Sequence, residues 1–159
     1  MLKYRYYREI FSEVPSEIVL GISISGCIIR CKGCHSMELW EDAGYPLTIE
    51  KIEEILSKKE GITCLCLFGG EHDIDTLTSI FMHFYGKLKT AWYCGLDFIP
   101  KDKIGILQYL DYYKIGHYDM DLGGLDSPTT NQHLFKLEHQ GDGNYYETDI
   151  TNLLQKKKW

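Results

Sequence analysis

Two hydrophobic periods alternate along this chain. "EIVLGISISGC" (17–27) is an Ile- and Val-rich run ending in glycine and cysteine, which predicts a buried strand that delivers a cysteine loop at its C-terminal end. "PLTIEKIEEILSKKEG" (46–61) sets Ile49, Ile52, Ile55 and Leu56 on one face, with an acid in the first turn and lysines in the last. It predicts a helix stopped by Gly61. "ITCLCLFGG" (62–70) is apolar on both faces, the pattern of a central parallel strand covered by helices. "DIDTLTSIFMHFYGK" (73–87) repeats the helical spacing at Ile74, Leu77, Phe81 and Phe84. "TAWYCG" predicts a third strand, "PKDKIGILQYLD" a third helix and "YYKIG" a fourth strand.

Beyond Gly116 the pattern changes, and "NQHLFKLEHQGDGNYYETDIT" predicts a β-hairpin turning at Gly141–Gly143. Strands alternating with helices imply a right-handed α/β unit on a parallel sheet. About four such units make a partial (βα) barrel, not a closed eight-stranded one, followed by the C-terminal hairpin. The 159 residues are expected to form one domain, 1–159, without repeat or linker.

A net charge of −6 argues against nucleic acid or an anionic membrane as partner. The basic "QKKKW" at the end reads as a solvated tail. No run of about 18 apolar residues exists to span a membrane, and "MLKYRYYREIFSE" lacks the apolar stretch of a signal peptide. The expected location is the cytoplasm. In that reducing compartment six cysteines do not form a disulfide framework, so a tight cluster of them reads as metal-binding or catalytic.

"GCIIRCKGCHS" (26–36) holds Cys27, Cys31 and Cys34 in the spacing CxxxCxxC, with His35 directly after. A closed zinc site or a fully ligated iron–sulfur cluster takes four ligands. Either His35 is the fourth, or one position is open. The adjacency of Cys34 and His35 is poor geometry for one tetrahedral zinc ion. Three thiolates on a [4Fe–4S] cube instead leave one iron free to chelate a small molecule. In a parallel α/β sheet this loop and the turns "GGEHD", "YCGLD" and "GHYDMDLGG" all fall on one rim, where such folds place ligands.

CxxxCxxC after one strand and Gly-Gly-Glu after the next resemble the radical S-adenosylmethionine enzymes. "CKGCHS" followed by Trp40, together with "LGGLDSPTTNQHLFKL" (122–137), resembles one branch: the activating proteins of anaerobic (class III) ribonucleoside-triphosphate reductase. The resemblance implies a partial barrel of the radical SAM type. It implies a [4Fe–4S] cluster on Cys27, Cys31 and Cys34, and S-adenosyl-L-methionine bound by Gly33, Cys34, His35, Gly69, Gly70 and Glu71. It also implies no catalytic side chain beyond these ligands, the large reductase subunit as protein substrate, and an electron donor protein as second partner. Gly33 stands where many relatives of the superfamily carry an aromatic residue, and Glu71–His72–Asp73 departs from their acid–proline turn.

Two rivals follow from the same residues: activation of a different glycyl-radical enzyme, and a non-catalytic module stabilised by zinc. Cys64 and Cys66 alternate on one face of a buried strand and read as core. Cys94 and His72 lie near the rim without an assigned role, His83 reads as structural, and Trp40 and Tyr93 are aromatic candidates for its walls.

Overall fold

The computed structural model describes residues 1–155, so most of the basic tail lies outside the described residues. Among the described residues eight strands are formed: β1 (Lys3–Ile10), β2 (Val19–Ile24), β3 (Tyr45–Pro46), β4 (Cys64–Phe68), β5 (Lys89–Tyr93), β6 (Tyr112–Ile115), β7 (His133–His139) and β8 (Tyr145–Asp149). They make one mixed sheet in the order β3-β1-β2-β4-β5-β6-β7-β8. Its centre is parallel, with Val19 opposite Cys64, Cys64 opposite Lys89, and Ala91 opposite Tyr112. Antiparallel strands flank it, β1 against β2 on one side and β7 and β8 on the other.

Helix α1 (Ile49–Ser57) is shorter than the periodicity predicts. Pro46 belongs to β3, Leu47 is buried, and the Thr48 hydroxyl accepts from Lys51 N at 3.1 Å, so the helix starts there. Helix α2 (Ile74–Phe84) buries Ile74, Leu77, Ile80, Phe81 and Phe84 on one stripe. The predicted third helix is a 3-10 helix over Lys101–Tyr109. Gly105 within it is a poor α-helix former, and Ile104 is exposed while Ile106 and Leu107 are buried, so the segment lacks the broad apolar face of α1 and α2. His83 bridges the two helices, its Nε2 2.7 Å from Glu53 Oε1.

The central strands are buried on both faces, but the covering is asymmetric. Leu20, Ile22, Ile24, Leu65, Leu67 and Trp92 pack with α1, α2 and the 3-10 helix. Val19, Cys64, Cys66 and Ala91 form a smaller cluster on the other face, closed by Ile10, Val14, Leu125, Ile150 and Leu154. Among the described residues helices therefore cover one face, and loops and chain ends close the second.

β1 was not legible from the hydrophobic pattern. Only Tyr4 and Ile10 of KYRYYREI are buried, so no apolar alternation marks it. Its pairing to β2 and its tyrosines, good strand formers, hold it in the sheet.

Candidate functional site

The parallel strands β2, β4, β5 and β6 end along one rim, and their four following turns meet there. The cysteine loop leaves β2 and is sealed at its base by Gly26 N donating to Glu41 O at 3.1 Å and Cys27 N to Leu39 O at 2.9 Å. The other three turns approach this loop where a glycine gives room. A Cβ on Gly26 would lie 3.2 Å from His72, one on Gly95 would lie 2.8 Å from Ile29, and one on Gly33 would lie 3.1 Å from Met120 Sδ. Gly33 also has φ +75°, a left-handed conformation that disfavours side chains. An aromatic residue at that position would meet Met120, which accounts for glycine there.

Cys27, Cys31 and Cys34 are free thiols, each half-buried. Two of the sulfurs receive backbone amides: Ser36 N donates to Cys34 Sγ and Tyr118 N to Cys31 Sγ, both at 3.3 Å. Burial pushes the Cys31 thiol up, the Tyr118 amide opposes this, and the charges of Cys34 and Cys27 add to the rise. The Cys31 thiol thus stands within electrostatic reach of both Cys27 and Cys34. Among the described residues no three His, Cys, Asp or Glu side chains are arranged to hold a single metal ion. A cubane cluster attaches each thiolate to a different iron, so its ligands stand further apart than those of one ion. Soft thiolates with amide donors aimed at sulfur suit such a cluster.

The Gly-Gly-Glu turn after β4 is held from both sides. Gly69 N donates to Tyr93 O at 3.0 Å, and Trp92 Nε1 donates to Gly69 O at 2.8 Å. Glu71 is buried; its Oε1 accepts from Gly95 N at 2.7 Å, and its Oε2 is buried without a partner among the described residues. Gly70 is left-handed, with the Leu77 methyls 3.0 Å from where its Cβ would be, so this turn abuts the first turns of α2.

Two cavities flank the cysteine loop. One of about 760 Å³ is bounded by Arg30, Cys31, Gly95, His117, Tyr118 and Met120. The other, about 620 Å³, is bounded by His35, Ser36, Phe68, Tyr93, Lys114 and Gln132. The His35 ring lies 5.2 Å from the Tyr118 ring. Tyr93 donates its hydroxyl to Glu13 O and so ties the β1–β2 connection to the second cavity. Trp40 lines neither cavity; its ring sits 5.9 Å from the Arg30 guanidinium carbon.

Of the remaining cysteines, Cys64 and Cys66 are core residues whose thiols burial pushes far up, and Cys94 is buried, its thiol pushed up to about 12 by burial. His72 packs against the cysteine loop at Gly26.

Sequence reasoning missed Lys114, Tyr118 and the pair His117–Asp97, whose Nδ1 and Oδ1 are 2.7 Å apart beside the first cavity. A lysine inside the apolar run "YYKIG" was the available signal for the first of these.

"LDSPTTNQ" folds back on the turn after β6. Ser127 and Thr129 hydroxyls donate to Leu122 O, each at 2.7 Å, Asn131 Nδ2 to His117 O at 3.1 Å, and Gln132 Nε2 to Gly116 O at 3.3 Å. The segment thereby fixes the backbone that presents Tyr118 N to Cys31.

No helix among the described residues is long and apolar enough to cross a membrane. Comparison with curated proteins and with solved structures gives no match. A family model described as a 4Fe-4S single cluster domain matches residues 18–123, from the strand before the cysteine loop to the turn after β6. With three free thiols on one loop and backbone amides on two of the sulfurs, the chain belongs to the 4Fe-4S single cluster domain family.

Proposed function

We propose that this chain is a radical S-adenosylmethionine activase that generates the glycyl radical of anaerobic ribonucleoside-triphosphate reductase, in a partial (βα) barrel of the radical SAM type. The observation that carries this reading is the ligand count at the cysteine loop. Cys27, Cys31 and Cys34 supply three thiols, while Cys64, Cys66 and Cys94 are buried in the core. A [4Fe–4S] cluster held by these three keeps one iron corner for an exogenous chelator.

Cys27, Cys31 and Cys34 would hold the cluster, which when bound would supply the one-electron reducing chemistry for cleaving S-adenosylmethionine and so for hydrogen abstraction from a backbone glycine of the reductase. The chain's own residues bind and orient. Ser36 N and Tyr118 N donate to two thiolate sulfurs and stabilise their charge. Glu71, with one buried oxygen unpartnered among the described residues, offers a carboxylate for the methionine ammonium. Gly69 and Gly70 keep the backbone beside it free of side chains. Gly33 and His35 offer backbone groups for the adenine, and the cavity beside His35 is of nucleoside size. No proton needs to move, so the reading calls on no general acid or base.

Anaerobic reconstitution followed by reduction tests this. Iron and sulfide in place of zinc, 5′-deoxyadenosine formed from S-adenosylmethionine, and a glycyl radical signal on adding the reductase are expected, all absent in Cys31→Ala. A cluster-replete, reduced sample that forms no 5′-deoxyadenosine sinks the reading. A radical appearing only on another glycyl-radical enzyme reassigns the partner.

A further inference from the structure

Lys114 on β6 is 8% exposed, in a strand where Tyr112 and Tyr113 are also buried. Its Nζ donates to Cys94 O at 3.1 Å and to Gly116 O at 2.7 Å, one carbonyl from each of the turns after β5 and β6. These use two of the three ammonium hydrogens. The side chain also borders the 620 Å³ cavity together with His35 and Ser36, the residues directly after Cys34. Gly116, whose carbonyl it binds, stands two residues before the Tyr118 amide on Cys31. Burial lowers the basicity of the amine, while Cys94, Glu71, Cys31 and Asp97 act to keep its proton on. A lysine is costly to bury, and a leucine or methionine would fill the same strand position without that cost.

We propose that Lys114 is a positioning residue for the electron: its fixed positive charge behind the cysteine loop sets the reduction potential of the cluster on Cys27, Cys31 and Cys34. Reduction adds one negative charge to an anionic centre, and a buried cation nearby stabilises the reduced form more than the oxidised one. Net charge and hydrogen bonding around the sulfurs are the levers by which a protein tunes such potentials. A buried charge is weakly screened, so its influence persists at high salt. The inference rests on the cluster assignment alone, so it stands or falls separately from the activase reading.

The test is a potentiometric titration of the reconstituted full chain, without S-adenosylmethionine or partner, read by the electron paramagnetic resonance of the reduced cluster. Lys114→Gln keeps an amide donor for the two carbonyls and removes the charge; Lys114→Met removes both. In both variants the reduced-to-oxidised ratio at fixed potential is expected to fall about tenfold, which for a one-electron couple is a shift of about 59 mV downward. The shift should survive an increase in ionic strength. An unchanged potential in Lys114→Gln overturns the proposal. So does a shift confined to Lys114→Met, which would assign the lysine to stapling the turns, or failure of the Gln variant to hold the cluster at all.

Discussion

The backbone N–H of Tyr118 donates to the sulfur of Cys31 at 3.3 Å, although 87 positions separate them in sequence. The cysteine loop is therefore not a self-contained motif. One of its sulfurs depends on the turn after β6, and that turn depends on "LDSPTTNQ", since Asn131 and Gln132 hold the carbonyls of His117 and Gly116. A segment that contributes no cysteine thus bears on the electrostatics of the Cys31 sulfur.

Asn131→Ala removes the donor to His117 O and leaves that carbonyl to water or to nothing. We expect a loss of about 1 kcal/mol in stability, the usual worth of such a hydrogen bond. The sharper readout is the cluster: iron release to a chelator should be several-fold faster than in the unaltered chain, with Cys27, Cys31 and Cys34 all intact. Equal release rates would show that Tyr118 keeps its place without Asn131.

The elements that carry the site were legible because burial imposes simple patterns. The strands read at 17–27 and 62–70 are β2 and β4, and the stripe Ile74, Leu77, Phe81 and Phe84 is buried in α2. What escaped the sequence depends on long-range pairing. β1 shows no alternation because most of its side chains face solvent. The segment 101–109 contains apolar residues, but Gly105 and the exposed Ile104 leave it without a face to bury as an α-helix. At the site, cysteine spacing announces itself within eight residues, whereas the Tyr118 amide, a backbone group, has no sequence signature at all. Lys114 left one trace, a charge inside an apolar strand, and that trace was readable only as an anomaly until its two carbonyl partners were seen.

Asp73 links the Gly-Gly-Glu turn to α2 and makes that junction sensitive to acid. Its carboxylate accepts from Thr76 N at 3.2 Å and from the Thr76 hydroxyl at 2.7 Å, and its own N–H donates to Gly70 O at 3.0 Å. Burial acts upward on the carboxyl, but the two Thr76 bonds, together with the charges of the N-terminus and His72, outweigh it and hold Asp73 below its ordinary 3.8. A depressed value in the folded state means the stabilisation is complete above the unfolded value and is lost as pH falls through the folded one. Asp73→Ala should cost about 1 kcal/mol near neutrality, as removal of a helix cap does. Asp73→Asn keeps an acceptor but not the charge, so its deficit relative to the unaltered chain should shrink as the medium is acidified below pH 3.8. Denaturant titrations at neutral and acid pH check this, and a deficit that stays constant would remove the carboxylate from the account.

The six cysteines should divide into two sets of three by reactivity in the metal-free chain under reducing conditions. A thiol reacts as its thiolate and only where reagent can reach it. Cys64, Cys66 and Cys94 fail on both counts: each is 0% exposed, and burial raises all three, Cys94 to about 12. At pH 8 the thiolate fraction of Cys94 is then about one in ten thousand. Cys27, Cys31 and Cys34 are half-buried on a loop that borders a cavity. Brief treatment with iodoacetamide should modify three residues, mapped by mass spectrometry to 27, 31 and 34, and denaturation should raise the count to six. Prior loading with the cluster should protect the same three and leave the others as they were. Modification of Cys94 in the native chain would contradict its burial beneath the turn after β5, and failure of the cluster to protect Cys27, Cys31 and Cys34 would remove them as its ligands.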